Sequence, residues 1–410
     1  MNCLCRFCQS PVTQTLVDLG ATPLANSYLP SADPSAISSE MRFPLHVVIC
    51  NACWLAQTTE TPPADAIFSH DYAYLSSWSE GWVAHAARYA EDMAARFKLG
   101  KQSMVVEVAS NDGYLLQHFV KEGIPVLGVE PAGHAASLAE KKGVPTKVLF
   151  FNEDTAMQLE SEGFVADLMA ANNVLAHVPE IEAFARGFKV LLKPRGVATF
   201  EFPHLASLLD LVQFDTIYHE HYSYLSLTFL GRLMADVGLE VFDIEKLLTH
   251  GGSLRVYVGH KGAHTVCESV AGVQAEEDAR NMNQSGGYAD MAAAVDRIVA
   301  EFCDFLSQAK AQGKTVAGYG AAAKGNTFLN VAGVDATDVA FVVDRNPSKQ
   351  NMLLPGSHIP VLSPDEISAQ RPDYLVILPW NIASEVMIQQ AHIREWGGQF
   401  VTAIPALRIQ

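Results

Sequence analysis

Positive charge is scarce in this chain: 28 Lys and Arg stand against 45 Asp and Glu in 410 residues, a formal net charge of −17. Nucleic acid and anionic membrane surfaces both attract fields of Lys and Arg, so neither is expected as a partner. Long hydrophobic runs are missing too. No stretch of about 18 apolar residues occurs, which excludes an ordinary transmembrane helix. The opening Met1-Asn2-Cys3-Leu4-Cys5-Arg6 does not read as a secretory signal, and a cytoplasmic protein is expected. Disorder is excluded in turn, because 49% of the residues are hydrophobic and 28 Gly with 20 Pro is ordinary usage. At about 150 residues per domain, the length predicts two to three domains, each with its own core.

Cysteine is also sparse, and it is unevenly placed. Cys267 and Cys303 are isolated, whereas Cys3, Cys5, Cys8, Cys50 and Cys53 crowd the N-terminus. In a reducing compartment such a cluster reads as a metal site rather than a disulfide framework. Cys5-x2-Cys8 and Cys50-x2-Cys53 offer two thiolates each, and four sulfurs complete a tetrahedron around Zn²⁺ with no position left for water. Iron in a rubredoxin-like cage takes the same ligands. Cys3 is a spare thiol that could replace Cys5. To residue 60 the only basic residues are Arg6 and Arg42, against Asp18, Asp33, Glu40 and Glu60, so this is no DNA-binding ribbon. A structural metal in a domain over residues 1–68 is expected.

From residue 69 to 246 the pattern is α/β. Between Ser76 and Leu99, Trp82, Val83, Ala86, Ala87, Ala90, Met93, Ala94 and Phe97 recur at helical spacing. A short buried strand at 104–108, the turn Ala109-Ser110-Asn111-Asp112-Gly113 and a helix from Tyr114 follow. Further strands are predicted at 126–129, 168–170 and 196–200, with helices between, giving a mostly parallel, doubly wound sheet. Such sheets bind ligands at the carboxyl ends of their strands, which aligns Glu107, Asn111, Gly113, Glu130, Asn172 and Asn173 along one edge. Glycine is scarce in the first turn, where a pyrophosphate-binding fold would carry three. Glu130 falls 17 residues after Gly113, about where an acid takes ribose hydroxyls. A nucleoside cofactor without pyrophosphate, S-adenosylmethionine, suits this better than a dinucleotide.

A third segment, 247–410, begins with His250-Gly251-Gly252-Ser253 and an alternating strand at 254–258. A polar stretch (263–287) and a long helix through Phe302 follow. The strand at 315–317 then leads to Gly318-Tyr319-Gly320 and a helix start carrying Lys324, a candidate phosphate anchor. With strands ending in Asp344 and Pro379, this is a second Rossmann-like unit.

The densest polar cluster is Asp215-Thr216-Ile217-Tyr218-His219-Glu220-His221-Tyr222-Ser223-Tyr224. A metal site here is disfavoured, because His219 and His221 do not share a helix face and no third ligand lies nearby in sequence. Together with the paired CxxC motifs, Glu107 to Gly113, Glu130-Pro131, Asn172-Asn173-Val174-Leu175-Ala176-His177 and His250 to Arg255, this cluster resembles the nucleotide-sugar C-methyltransferases over essentially the whole chain. The resemblance implies a zinc domain, a class I S-adenosylmethionine domain and a C-terminal Rossmann-like domain. It implies an NDP-4-keto-6-deoxysugar substrate, commonly dTDP-linked, methylated at C3. Carried over by motif, His221 is the general base, Glu220 and Tyr218 lie beside it, and His177 and Tyr72 line the site. Substrate contacts are expected from Ser253, Arg255, Lys324 and Asn326. Two rival readings stand beside this one: an NAD-dependent oxidoreductase using Gly318 to Gly320 and Asp344, and a non-catalytic zinc-stapled scaffold.

Overall fold

The structure is a computed structural model that describes residues 3–31, 33–59 and 75–410. Tyr72 and the expected boundary at 68/69 lie outside the described residues. Among the described residues, no helix is long and apolar enough to cross a membrane.

The central sheet is seven-stranded, in the order Leu239–Leu247, Ser253–His260, Leu192–Pro203, Ala166–Asn172, Val105–Val108, Val126–Val129, Thr146–Lys147. Strands Val105–Val108 and Val126–Val129 are buried at every position, as expected of parallel strands covered on both faces. The five strands from Leu192–Pro203 to Thr146–Lys147 are parallel, and Ser253–His260 is inserted antiparallel. The central sheet therefore takes a strand from the third sequence segment. The first helix of this unit runs Glu80–Phe97 and contains every apolar position from Trp82 to Phe97. Ser79 caps it by accepting from Trp82 N at 3.2 Å, and Lys98 ends it in the left-handed conformation at φ 53°. The polar stretch after residue 263 holds a helix, Glu268–Ala279, whose buried side chains are Val273 and Glu277. With Val273 its only fully buried apolar side chain, the helix has no apolar stripe to read.

The C-terminal unit is a six-stranded sheet in the order Val361–Leu362, Val342–Val343, Val316–Tyr319, Tyr374–Ile377, Gln399–Thr402, Arg408–Ile409, parallel but for the last strand. The N-terminal antiparallel sheet, of strands Gln14–Thr22, Phe43–Ile49 and Ala56–Thr58, lies between the other two units. Val48 belongs to one core with Leu225 and Phe229, and its neighbours Val47 and Ile49 to another with Val295 and Phe302, the alternation of a strand buried on both faces. Two pairings stitch the units together. Ser223–Tyr224 adds a fourth strand to the N-terminal sheet, and Leu29–Pro30 pairs with Met352–Leu353.

Candidate active site

A cavity of about 640 Å³ opens where the three units meet, at the carboxyl ends of the central strands. At one end, the turn after Val105–Val108 places Ala109, Asn111 and Gly113 at positive φ. Asn111 N and Ala132 N donate to the two oxygens of Glu130 at 2.9 and 2.8 Å, and Ser76 N donates to Asn111 Oδ1 at 2.9 Å. Burial raises the pKa of Glu130, with the two amides opposing it. Asn172 and Asn173 complete this edge, and Asn172 Oδ1 is buried with no partner among the described residues. A carboxylate gathered by two amides, beside an orphaned amide oxygen and the rings of Phe150 and Tyr114, fits a nucleoside with a polar tail. Glu107 and Gly113 do not line the cavity. Glu107 lies behind it, fully enclosed, and burial holds its carboxyl well above the usual range. Gly113 is needed for its φ of 74°, and because an added Cβ would press on Ala139 at 3.1 Å.

The middle of the cavity is formed by the polar cluster. His221 Nδ1 donates to Thr216 O at 2.8 Å, which fixes the tautomer and leaves the lone pair on Nε2. Tyr218 lies over its ring at 4.0 Å, and His177 meets it edge-on at 4.7 Å. Burial pushes His221 well below the ordinary imidazole range, with His177 adding to it, and pushes His177 to about 4. Glu220 is buried and accepts from Asn26 Nδ2 of the N-terminal unit. His219 faces elsewhere: its Nε2 donates to Phe43 O at 3.1 Å, and it does not line the cavity.

At the far end stand Lys324, Lys349 and Asn381. Burial lowers the pKa of both lysines, opposed by Asp215 for Lys324 and by Asp344 and Glu220 for Lys349. Lys349 donates to Ala321 O at 2.6 Å. Asp215, raised by burial to about 6, accepts from Trp380 Nε1 at 2.8 Å and so ties this wall to the cluster. The glycines of the second loop are used in packing: a Cβ on Gly320 would meet Pro379, and one on Gly325 would meet Leu378.

Three expected substrate residues lie outside the cavity. Arg255 is enclosed in an ion network, donating to Glu245 at 2.9 Å and Glu201 at 3.2 Å. Ser253 donates to Thr249 O at 2.9 Å, and Asn326 donates to Ala25 O at 2.6 Å, holding the N-terminal unit. Conversely, Asn26 and Lys349 line the cavity without having been singled out by the sequence, and His250, named there only as the start of the motif to Arg255, lines it as well. Lys349 follows the strand end at Asp344, a position that could have flagged it. Asn26 sits in an N-terminal loop with no such signal.

At the turn joining the paired strands Phe43–Ile49 and Ala56–Thr58 of the N-terminal sheet, the ligand atoms of Cys50 and Cys53 meet those of Cys5 and Cys8, all within 4.8 Å of one another, with Cys5–Cys53 and Cys8–Cys50 at 3.5 Å. The contact between Cys5 and Cys53 lowers the pKa of one thiol and raises that of the other, as expected of two sulfurs that share one proton. Cys3 is not part of this group and donates to Leu4 O at 3.7 Å.

Comparison with known proteins decides the family. C-methyltransferase NovU of Streptomyces niveus is 35% identical over 406 residues, 99% of this chain and 96% of that protein. The chain belongs to the C-methyltransferase family. Three family models match this C-methyltransferase in succession: a zinc binding domain at 5–68, a methyltransferase domain at 82–244 and a C-methyltransferase C-terminal domain at 248–405. Solved structures with partial likeness include an S-adenosylmethionine-dependent methyltransferase from Anabaena variabilis (15% identity, 49% of this chain and 97% of that one, TM-score 0.39). Another is the 1,6-didemethyltoxoflavin-N1-methyltransferase of Burkholderia thailandensis (16% identity, 50% and 95%, TM-score 0.37). Likenesses this distant decide nothing about the reaction. The C-methyltransferase thus depends on S-adenosylmethionine and carries a four-cysteine zinc-binding domain.

Proposed function

We propose that this C-methyltransferase methylates an NDP-4-keto-6-deoxysugar, dTDP-linked, at C3, next to the ketone, and that it works in the cytoplasm, where its thiols stay reduced. The observation that carries the reading is the oriented imidazole: His221, with Nδ1–H held by Thr216, has its basic Nε2 in a cavity shared with the Glu130 edge and with Lys324 and Lys349. An unprotonated imidazole is the group needed to take a proton from carbon beside a ketone. His221 Nε2 accepts the C3 proton, and the electron pair of the C–H bond moves toward the ketone oxygen. Tyr218 is the donor placed beside the base to stabilise that oxyanion, while His177, whose ring N–H is bonded to the Glu220 backbone, walls the site beside it. When bound, S-adenosylmethionine would supply an electrophilic methyl group to C3, the S–CH₃ bond breaking to leave S-adenosylhomocysteine. Glu130, Asn111 and Asn172 hold the donor's nucleoside and tail, while Lys324 and Lys349 hold the acceptor's diphosphate. A mass-spectrometric screen of NDP-4-ketosugars with S-adenosylmethionine tests this, and a gain of one methyl by a 4-ketosugar is expected. Methylation at oxygen, or of no ketosugar in the panel, would refute it.

A further inference from the structure

The connection Thr249–Gly251 with Gly252 joins strand Leu239–Leu247 to strand Ser253–His260 at the carboxyl edge of the central sheet. Its backbone is strained. His250 has φ 53°, a left-handed conformation uncommon outside glycine, and Gly251 and Gly252 follow at 84° and 118°. Side chains here would not fit: a Cβ on Gly251 would run into the Trp380 ring, and one on Gly252 into Ser207. The turn is held from several sides. Gln213 Nε2 donates to Gly251 O at 2.7 Å, and Thr249 Oγ1 donates to Glu201 Oε1 at 3.2 Å. Glu201 is fully buried and is fixed by His85 at 3.0 Å and by Arg255. The result of this bracing is that His250 lines the cavity, with Trp82 edge-on at 5.5 Å.

The state of the imidazole follows from its neighbours. Asn173 Nδ2 lies 3.4 Å from His250 Nε2, and an amide N–H only donates, so Nε2 accepts and Nδ1 carries the hydrogen. Burial lowers the pKa to about 4, with the charge of Lys324 adding to it, so the ring is neutral at working pH. We propose that His250 is a substrate-binding residue that donates its Nδ1–H to an uncharged oxygen of the acceptor sugar, with Glu201 as the positioning residue behind it. This rests on the ketosugar reading above. A neutral donor suits a keto or hydroxyl oxygen, whereas a carboxylate or diphosphate is better met by cations, and Lys324 and Lys349 already supply those. The turn abuts Trp380 on the acceptor side and the ring meets Asn173 on the donor edge, so His250 stands between the two ligands with its Nδ1–H free for the acceptor.

The test compares His250→Asn, His250→Gln and His250→Ala. The Asn amide nitrogen falls near the position of imidazole Nδ1, and Asn tolerates the left-handed conformation, whereas the Gln amide reaches toward Nε2. Turnover of the dTDP-4-ketosugar, S-adenosylhomocysteine affinity by calorimetry and Tm are measured for each. His250→Gln and His250→Ala should lose about tenfold or more in kcat/KM for the acceptor, His250→Asn should recover most of it, and S-adenosylhomocysteine affinity should hold. In wild type labelled with ¹⁵N-histidine, the ketosugar nucleotide should shift the Nδ1 signal that disappears in His250→Asn, a readout that needs no fragile variant. Three variants with wild-type kinetics, no shift on acceptor addition, or a loss confined to S-adenosylhomocysteine binding would overturn the proposal. A wild type inactive on every ketosugar would sink the reaction reading and this proposal with it, whereas an active wild type beside three active variants sinks this proposal alone.

Discussion

At the scale of residues, the site separates groups that look alike in sequence. His221 and His219 are two positions apart, yet one is oriented by Thr216 inside the cavity and the other is spent on Phe43 O. His221→Asn keeps shape and removes basicity, so kcat should fall about 10²–10⁴-fold with both ligands still bound, while His219→Asn costs far less. Deuterium uptake from D₂O at the carbon beside the ketone should vanish with the first substitution and survive the second. Because burial holds His221 well below the ordinary imidazole value, its base form persists as pH falls, and the acid limb of kcat/KM should lie below about 6.5. A limb at or above that value would contradict the assignment. Glu130→Ala should weaken S-adenosylhomocysteine binding by about 1.5–3 kcal/mol in calorimetry and leave nucleotide-sugar binding nearly unchanged. Equal affinity in mutant and wild type would remove Glu130 from the donor site.

At the scale of elements, the helix Glu268–Ala279 is held by a charge rather than by an apolar stripe. Glu277 is fully buried and accepts from Leu227 N, Thr228 N, the Thr228 hydroxyl and His204 Nε2, so it caps the helix Leu227–Asp236 from a neighbouring helix. Removing it leaves buried amides unpaired. Glu277→Ala should therefore destabilise by about 2–3 kcal/mol, visible as a lower Tm, with S-adenosylhomocysteine affinity retained in the folded protein. An unchanged Tm would show that these amides find other partners.

At the scale of the whole molecule, the metal domain and the reaction loop are one mechanical unit. Arg6 lies inside the Cys5–Cys8 knuckle and donates to Thr58 O, Tyr222 O and the Ser223 hydroxyl, just past His221. Thr58 N and Tyr222 N add bonds to Tyr222 O and Ala176 O at 3.1 and 2.8 Å. Losing the metal should thus do more than unfold a remote staple. Chelation, or Cys50→Ser, should abolish metal content by elemental analysis, lower stability and reduce kcat, because the strand Ser223–Tyr224 loses the sheet that holds it. Full turnover in a metal-free protein would refute this coupling. The sequence by itself determined what is written in short stretches: the four thiols in two knuckles, the parallel strands with Asn111, Glu130 and Asn172 at their ends, and the His-rich segment. These follow from local spacing and period, which survive without knowledge of the partners. The motif favoured His221 over His219 and the tertiary structure gave the reason, while that structure alone decided that Arg255 and Asn326 are internal fasteners and that Asn26, Lys349 and His250 join the site. The physical reason is range: His219 is fixed by a carbonyl 176 residues away and Asn326 by one 301 residues away, and no local pattern encodes such a contact.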